Sequence, residues 1–85
     1  MFYNGEDMNR ESKIAELVKL VSKKETDPAP DEALFETGFL DSFDLPELVS
    51  ELERAFSVRV PDSDLRPRNF SSIQKIEAYI QSKGV

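Results

Sequence analysis

Three stretches of this chain space their aliphatic residues as the face of a helix, and no stretch longer than three residues alternates as a half-buried strand would. Ile14, Leu17, Val18 and Val21 fall at i, i+3, i+4 and i+7. Leu45, Leu48, Val49, Leu52 and Phe56 repeat the pattern out to i+11, and Ile73, Ile76 and Ile80 carry a third stripe. Each stripe has to leave water, and a chain of 85 residues offers little to cover it except the other two. The expectation is an all-α fold, a small four-helix bundle of three main helices plus one short helix, with a long first loop. Residues 1–8 lack the periodicity and are expected to fray, leaving a single domain over residues 9–83.

The boundaries follow from local chemistry. The first helix is expected to begin near Asn9 and to end at Lys23-Lys24, where cations suit the negative pole of the helix dipole. Pro28 and Pro30 prevent its continuation. The long connection that follows contains Leu34, Phe35, Phe39 and Leu40, so it is expected to fold back over the core, with Gly38 at a positive φ. The short helix is placed at residues 62–65, capped by Asp62 and stopped by Pro67. In the last helix, Ser71-Ser72-Ile73-Gln74 has the form of a capping box and Lys83-Gly84 that of a stop.

Pro46 is the exception within the second helix, expected over residues 42–56. If Ser42 caps that helix, the proline ring crowds the Ser42 carbonyl and one backbone hydrogen bond is lost. Leu45, preceding a proline, is expected to avoid the α region. The sequence therefore predicts a distorted or 3-10 first turn at Ser42, with regular α geometry beginning nearer Asp44 or Leu45.

Composition excludes much. There is no Cys and no His, which removes thiolate nucleophiles, disulfides and the commonest general base and zinc ligand. No catalytic residue and no metal site are expected. Asp62 and Asp64 do not start a calcium loop, because Arg66 and Pro67 occupy the next ligand and glycine positions. A net charge of −6 disfavours nucleic acid. No apolar run reaches the ~20 residues of a membrane span, and residues 1–10 lack the apolar region of a signal peptide. The expected setting is the cytoplasm and the expected state a monomer.

The informative segment is Phe35-Glu36-Thr37-Gly38-Phe39-Leu40-Asp41-Ser42-Phe43-Asp44-Leu45. It places a serine at a loop-to-helix junction, after a long apolar loop and at the head of an acidic helix. Residues 41–56 hold five acids, Asp41, Asp44, Glu47, Glu51 and Glu53, against Arg54, a net −4. On their own these features are compatible with an ordinary N-cap and a solvated acidic face. Together with Gly38-x-x-Asp41-Ser42, the Glu53-x-x-Phe56 helix end, the Val60-Pro61-Asp62 link and Asn69-Phe70-Ser71-Ser72-Ile73, they resemble the phosphopantetheine-dependent acyl and peptidyl carrier proteins. The resemblance extends over residues 10–82. Within that family, Leu34-Phe35-Glu36-Thr37-Gly38 followed by Leu40-Asp41-Ser42 looks closest to the D-alanyl carrier proteins, with other aminoacyl or polyketide carriers equally open. Arg54, Arg59, Arg66 and Arg68 depart from the more uniformly acidic fatty-acid carriers.

The resemblance implies an acyl carrier protein-like fold and a role for each residue. Ser42 would take 4′-phosphopantetheine from coenzyme A, and the arm's thiol would hold an acyl or aminoacyl group as a thioester. Asp41 would orient the serine or a transferase metal. Phe43 would pack against the arm or a partner, although ordinary core is the simpler reading. The attached phosphate would rest on free N–H groups at the helix N-terminus. Asp44, Glu47, Glu51 and Glu53 would dock basic partners. Those partners would be a phosphopantetheinyl transferase, an adenylating enzyme that loads the thiol, and a downstream acyltransferase or synthase. The competing expectation is a non-enzymatic helical adaptor that binds a basic partner through the acidic face, with Ser42 unmodified.

Overall fold

A computed structural model describes the backbone of residues 6–84 and side chains from residue 10 onward. Three α-helices dominate: α1, Glu6–Ser22; α2, Leu45–Phe56; and α3, Ile73–Ser82. Three short 3-10 turns, Ser42–Asp44, Asp62–Asp64 and Pro67–Phe70, stand between them, and no strand occurs among the described residues. The fold is the expected all-α bundle. α1 packs on both α2 and α3. The three stripes meet in one core with Leu34, Phe39, Leu40, Val60 and Phe70 from the connections. Arg10 of α1 and Glu77 of α3 pair at 3.1 Å at its edge.

α1 begins three residues ahead of the first periodic position, Asn9; residues 1–5 of the segment expected to fray lie outside the described residues. It stops where Lys23 turns left-handed at φ 62°, its amide still reaching the Lys19 carbonyl at 2.8 Å. The connection to α2 folds over the core as expected, with Leu34 and Leu40 essentially inaccessible. Backbone bonds fasten it: Leu34 N–H donates to the Ser71 carbonyl (2.7 Å), Leu40 N–H to the Leu34 carbonyl (2.9 Å), and Gln74 N–H to the Pro30 carbonyl (3.0 Å). Gly38 has the expected positive φ, 83°.

The same bonds move the start of α3. The N-cap is Ser72, whose Oγ accepts from Lys75 N–H at 3.1 Å, and not Ser71. The expected Ser71–Gln74 box does not form, because the Gln74 amide that the Ser71 side chain would accept from is committed to the Pro30 carbonyl. The other end behaves as expected: Gly84, at φ 85°, closes the helix by donating to the Gln81 carbonyl.

The stretch between α2 and α3 differs from the sequence reading in two places. The first turn, Asp62–Asp64, is capped by Pro61 with no side-chain bond, so Asp62 is its first residue and not its cap. Pro67, expected to end a helix, instead opens the further turn Pro67–Phe70. A proline is tolerated at a first helical position, where its missing N–H has no partner to lose. That turn delivers Phe70 into the core, against Tyr79 at 5.2 Å between ring centres.

Candidate functional site

Ser42 opens the 3-10 turn that joins the long connection to α2. The cap is Asp41, not Ser42. Its Oδ1 accepts from Phe43 N–H at 2.9 Å, and its own N–H donates to Asp44 Oδ2 at 3.1 Å, so the two aspartates form a reciprocal capping box around the serine. Ser42 is exposed, and its hydroxyl has no hydrogen-bond partner among the described residues. Two carboxylates thus perform the capping usually done by a serine hydroxyl, which leaves that hydroxyl available to solvent.

Pro46 explains why the turn is 3-10. In an α-helix the Ser42 carbonyl would accept from the amide of residue 46, which proline lacks. The carbonyl accepts from Leu45 N–H instead, and Asp44 N–H donates to the Asp41 carbonyl at 2.9 Å. Regular α geometry starts at Leu45, as Pro46 requires. Leu45 itself sits in the α region, at φ −60° and ψ −48°, contrary to its expected avoidance. Its side chain is buried in the core, and that packing outweighs the local preproline bias.

Phe43 is the most exposed large apolar side chain among the described residues, 89% exposed. The core reading of this residue is therefore overturned. It lies next to Ser42, at the start of the turn before α2.

The acidic face is less free than its charge suggests. Asp44 belongs to the capping box. Glu51 pairs with Arg54 at 3.1 Å. Glu53 is half-buried and accepts from Val60 N–H at 2.8 Å, fastening the link after α2. Glu47 is exposed and has no partner among the described residues. Three of the four carboxylates lie on α2 and Asp44 in the turn before it, and Asp44, Glu51 and Glu53 are already engaged within the chain.

The N–H groups expected to receive a phosphate are also taken, Phe43 by Asp41 and Leu45 by Ser42. A group esterified to Ser42 meets two carboxylates rather than a ring of donors. An exposed, unpartnered hydroxyl fits a covalently tethered arm, because attachment needs access and not a cavity. A phosphodiester at Ser42 would stand beside the carboxylates of Asp41 and Asp44.

The strongest electrostatic cluster lies elsewhere. Tyr79 Oη donates to Asp64 Oδ2 at 2.6 Å, and Lys83 Nζ approaches the same oxygen at 3.5 Å while lying 5.1 Å from the Tyr79 ring centre. The tyrosine hydrogen bond, aided by the charge of Lys83, holds the Asp64 carboxyl below its ordinary value. Burial, and then the neighbouring carboxylate, push the Tyr79 hydroxyl well above its own. Sequence reasoning did not find this pairing, since Asp64 and Tyr79 are 15 residues apart and only the 3-10 turn brings them together.

Comparison with known proteins agrees with this geometry. Residues 12–80 match the family described as "Phosphopantetheine attachment site". The D-alanyl carrier protein of Streptococcus sanguinis (strain SK36) is 32% identical over 69 residues, which cover 81% of this chain and 87% of the relative. Those of Streptococcus uberis and Streptococcus pyogenes serotype M5 are 33% identical with the same coverage. No helix among the described residues is long and apolar enough to cross a membrane. Proteins of this kind are substrates handed between enzymes and not catalysts, and the group they carry is phosphopantetheine. The match spans the whole bundle, from within α1 to the last turns of α3, and this chain belongs to the phosphopantetheine-bearing carrier protein family.

Proposed function

We propose that Ser42 is the attachment residue and that the protein carries an aminoacyl group, D-alanine in the first instance, as a thioester on the arm. The observation that carries this reading is the freed hydroxyl. Asp41 and Asp44 cap the turn in place of Ser42, and Ser42 stands in water within the matched region. The D-alanyl cargo is suggested by the names of the similar streptococcal proteins.

On this reading Ser42 Oγ attacks the β-phosphorus of coenzyme A. A phosphodiester forms and adenosine 3′,5′-bisphosphate leaves. The chain has no histidine, and the Asp41 and Asp44 carboxylates beside the serine are engaged by the backbone amides of the capping box, so the proton goes to a group of the transferase. Asp41 holds the turn that presents the hydroxyl. Phe43 and Glu47 are the residues most exposed to the loading enzyme. Aminoacyl adenylates and coenzyme A are cytoplasmic reagents, so loading takes place there, with the carrier acting as a monomer.

The test is direct. Incubation with coenzyme A, magnesium and a broad-specificity phosphopantetheinyl transferase should add the mass of one phosphopantetheine to the wild type and none to Ser42→Ala. A wild type that gains no mass supports the adaptor reading, with Ser42 unmodified. A gain that persists in Ser42→Ala moves the site.

A further inference from the structure

A second surface lies at the same end of the bundle as Ser42. A groove of about 400 Å³ runs between the connection and the start of α3, lined by Phe35, Glu36, Pro67, Arg68 and Lys75 among others. A shallower trough continues it along α3 past Ser71 and Lys75 to Ala78. Its walls are fixed by two backbone bonds, Leu34 N–H to the Ser71 carbonyl and Gln74 N–H to the Pro30 carbonyl. Arg68 and Lys75 form no ion pair with an acid among the described residues, and they outnumber Glu36, the one acid that lines the groove; Asp31 lies farther off, in the trough. Phe35, half-buried, supplies an apolar wall.

The distance from Ser42 is short. Leu40 N–H holds the Leu34 carbonyl at 2.9 Å. With two Cα–Cα steps of ~3.8 Å from Leu40 to Ser42, the Phe35 backbone lies within about 15 Å of the serine. A docking footprint of ~800 Å² per partner is a disc of about 16 Å radius. An enzyme whose footprint extends from Ser42 along the connection reaches Phe35 at the mouth of this groove.

We propose that the groove is a second docking contact for the enzyme that loads the arm, and that it receives an acidic segment of that enzyme carrying an apolar side chain. The carboxylates of that segment pair with Arg68 and Lys75, and the apolar group packs on Phe35. The footprint is then of mixed charge: Glu47 and the helix α2 field face cations of the partner, while the groove faces its anions. Such a pattern fixes one orientation and rejects enzymes with a uniformly basic docking face. The proposal rests on the carrier reading of Ser42.

The test uses the whole chain carrying its arm, with a purified adenylating enzyme that activates D-alanine as the probe. Two variants are compared with the wild type: Arg68→Glu with Lys75→Glu, and the conservative Arg68→Lys with Lys75→Arg. Charge reversal is expected to raise the KM for carrier loading about tenfold or more, with kcat little changed and an unchanged melting temperature. The conservative pair should stay within twofold of wild type. Equal KM for the reversed and wild-type chains overturns the proposal, as does a wild-type carrier that the enzyme does not load. Mass gain on treatment with the transferase is recorded for every variant. If the arm is added but charge reversal has no effect, the groove proposal fails and the carrier reading stands. If no arm is added, the carrier reading itself fails.

Discussion

Gly38 and Phe43 show what single residues contribute on either side of the serine. At φ 83° Gly38 lies in the left-handed region, and a Cβ built there meets nothing within 4 Å. The cost of Gly38→Ala is therefore a backbone cost alone, about 1 kcal/mol in chemical denaturation. Gly38→Asn should lose less, because asparagine tolerates that region. Equal losses would point to a steric cause that the open space contradicts. The positive φ was legible, since a glycine four residues before a helix start inside an apolar loop marks a sharp turn. The exposure of Phe43 was legible too, as the alternative to a core position. It stands nine positions before Leu52, and at 100° per residue that places it on the opposite side of α2's buried stripe. An apolar side chain on the polar side of a helix is a contact waiting for a partner. The roles of Asp41 and Asp44 were not legible. Three good caps within four residues, Asp41, Ser42 and Asp44, compete for the same amides, and which one wins depends on the backbone geometry that Pro46 imposes downstream.

At the scale of the element, Pro46 sets the shape of the turn that presents the serine. In Pro46→Ala the restored amide can donate to the Ser42 carbonyl, and α2 is expected to extend back to Ser42. The new hydrogen bond contributes about 0.5–1.5 kcal/mol. The greater freedom of the unfolded chain opposes it by about 0.4–1 kcal/mol. These nearly cancel, so stability should change by less than about 1 kcal/mol while the amide of residue 46 becomes protected against hydrogen exchange. A protected amide with slower phosphopantetheine attachment would show that the 3-10 geometry serves presentation. Unprotected exchange at residue 46 would show that the turn is held by the aspartates rather than by the proline. The three α-helices were legible because each carries a long apolar stripe. The start of α3 was misplaced by one residue and the turn Pro67–Phe70 was missed, for one physical reason. Both are decided by long-range backbone bonds to the connection, Leu34 to Ser71 and Gln74 to Pro30. Local capping rules have no access to a carbonyl some forty residues away.

Across the whole molecule, the Asp64–Tyr79–Lys83 cluster ties the segment after α2 to α3, and it should give the bundle a recognisable dependence on pH. Asp64 is held below its ordinary value by the Tyr79 hydrogen bond and by Lys83. Its contribution to stability is therefore present above the unfolded carboxyl value of 3.8 and is lost as pH falls through the folded value. Tyr79 is shifted the opposite way. A hydroxyl held neutral in the fold stabilises fully below the unfolded tyrosine value of 10.0, and that stability declines above it, where only the unfolded chain ionises. Tyr79→Phe keeps the ring against Phe70 but removes the donor. The melting temperature of the wild type should exceed that of Tyr79→Phe most between about pH 5 and 9. The gap should narrow below pH 4, as Asp64 takes up its proton, and again above pH 10, as the unfolded tyrosine loses its own. A pH series of melting curves on the two proteins measures the gap directly. A gap of constant width from pH 3 to 11 would mean that the hydroxyl contributes packing alone, and that this corner of the bundle is not held by the hydrogen bond its 2.6 Å length indicates.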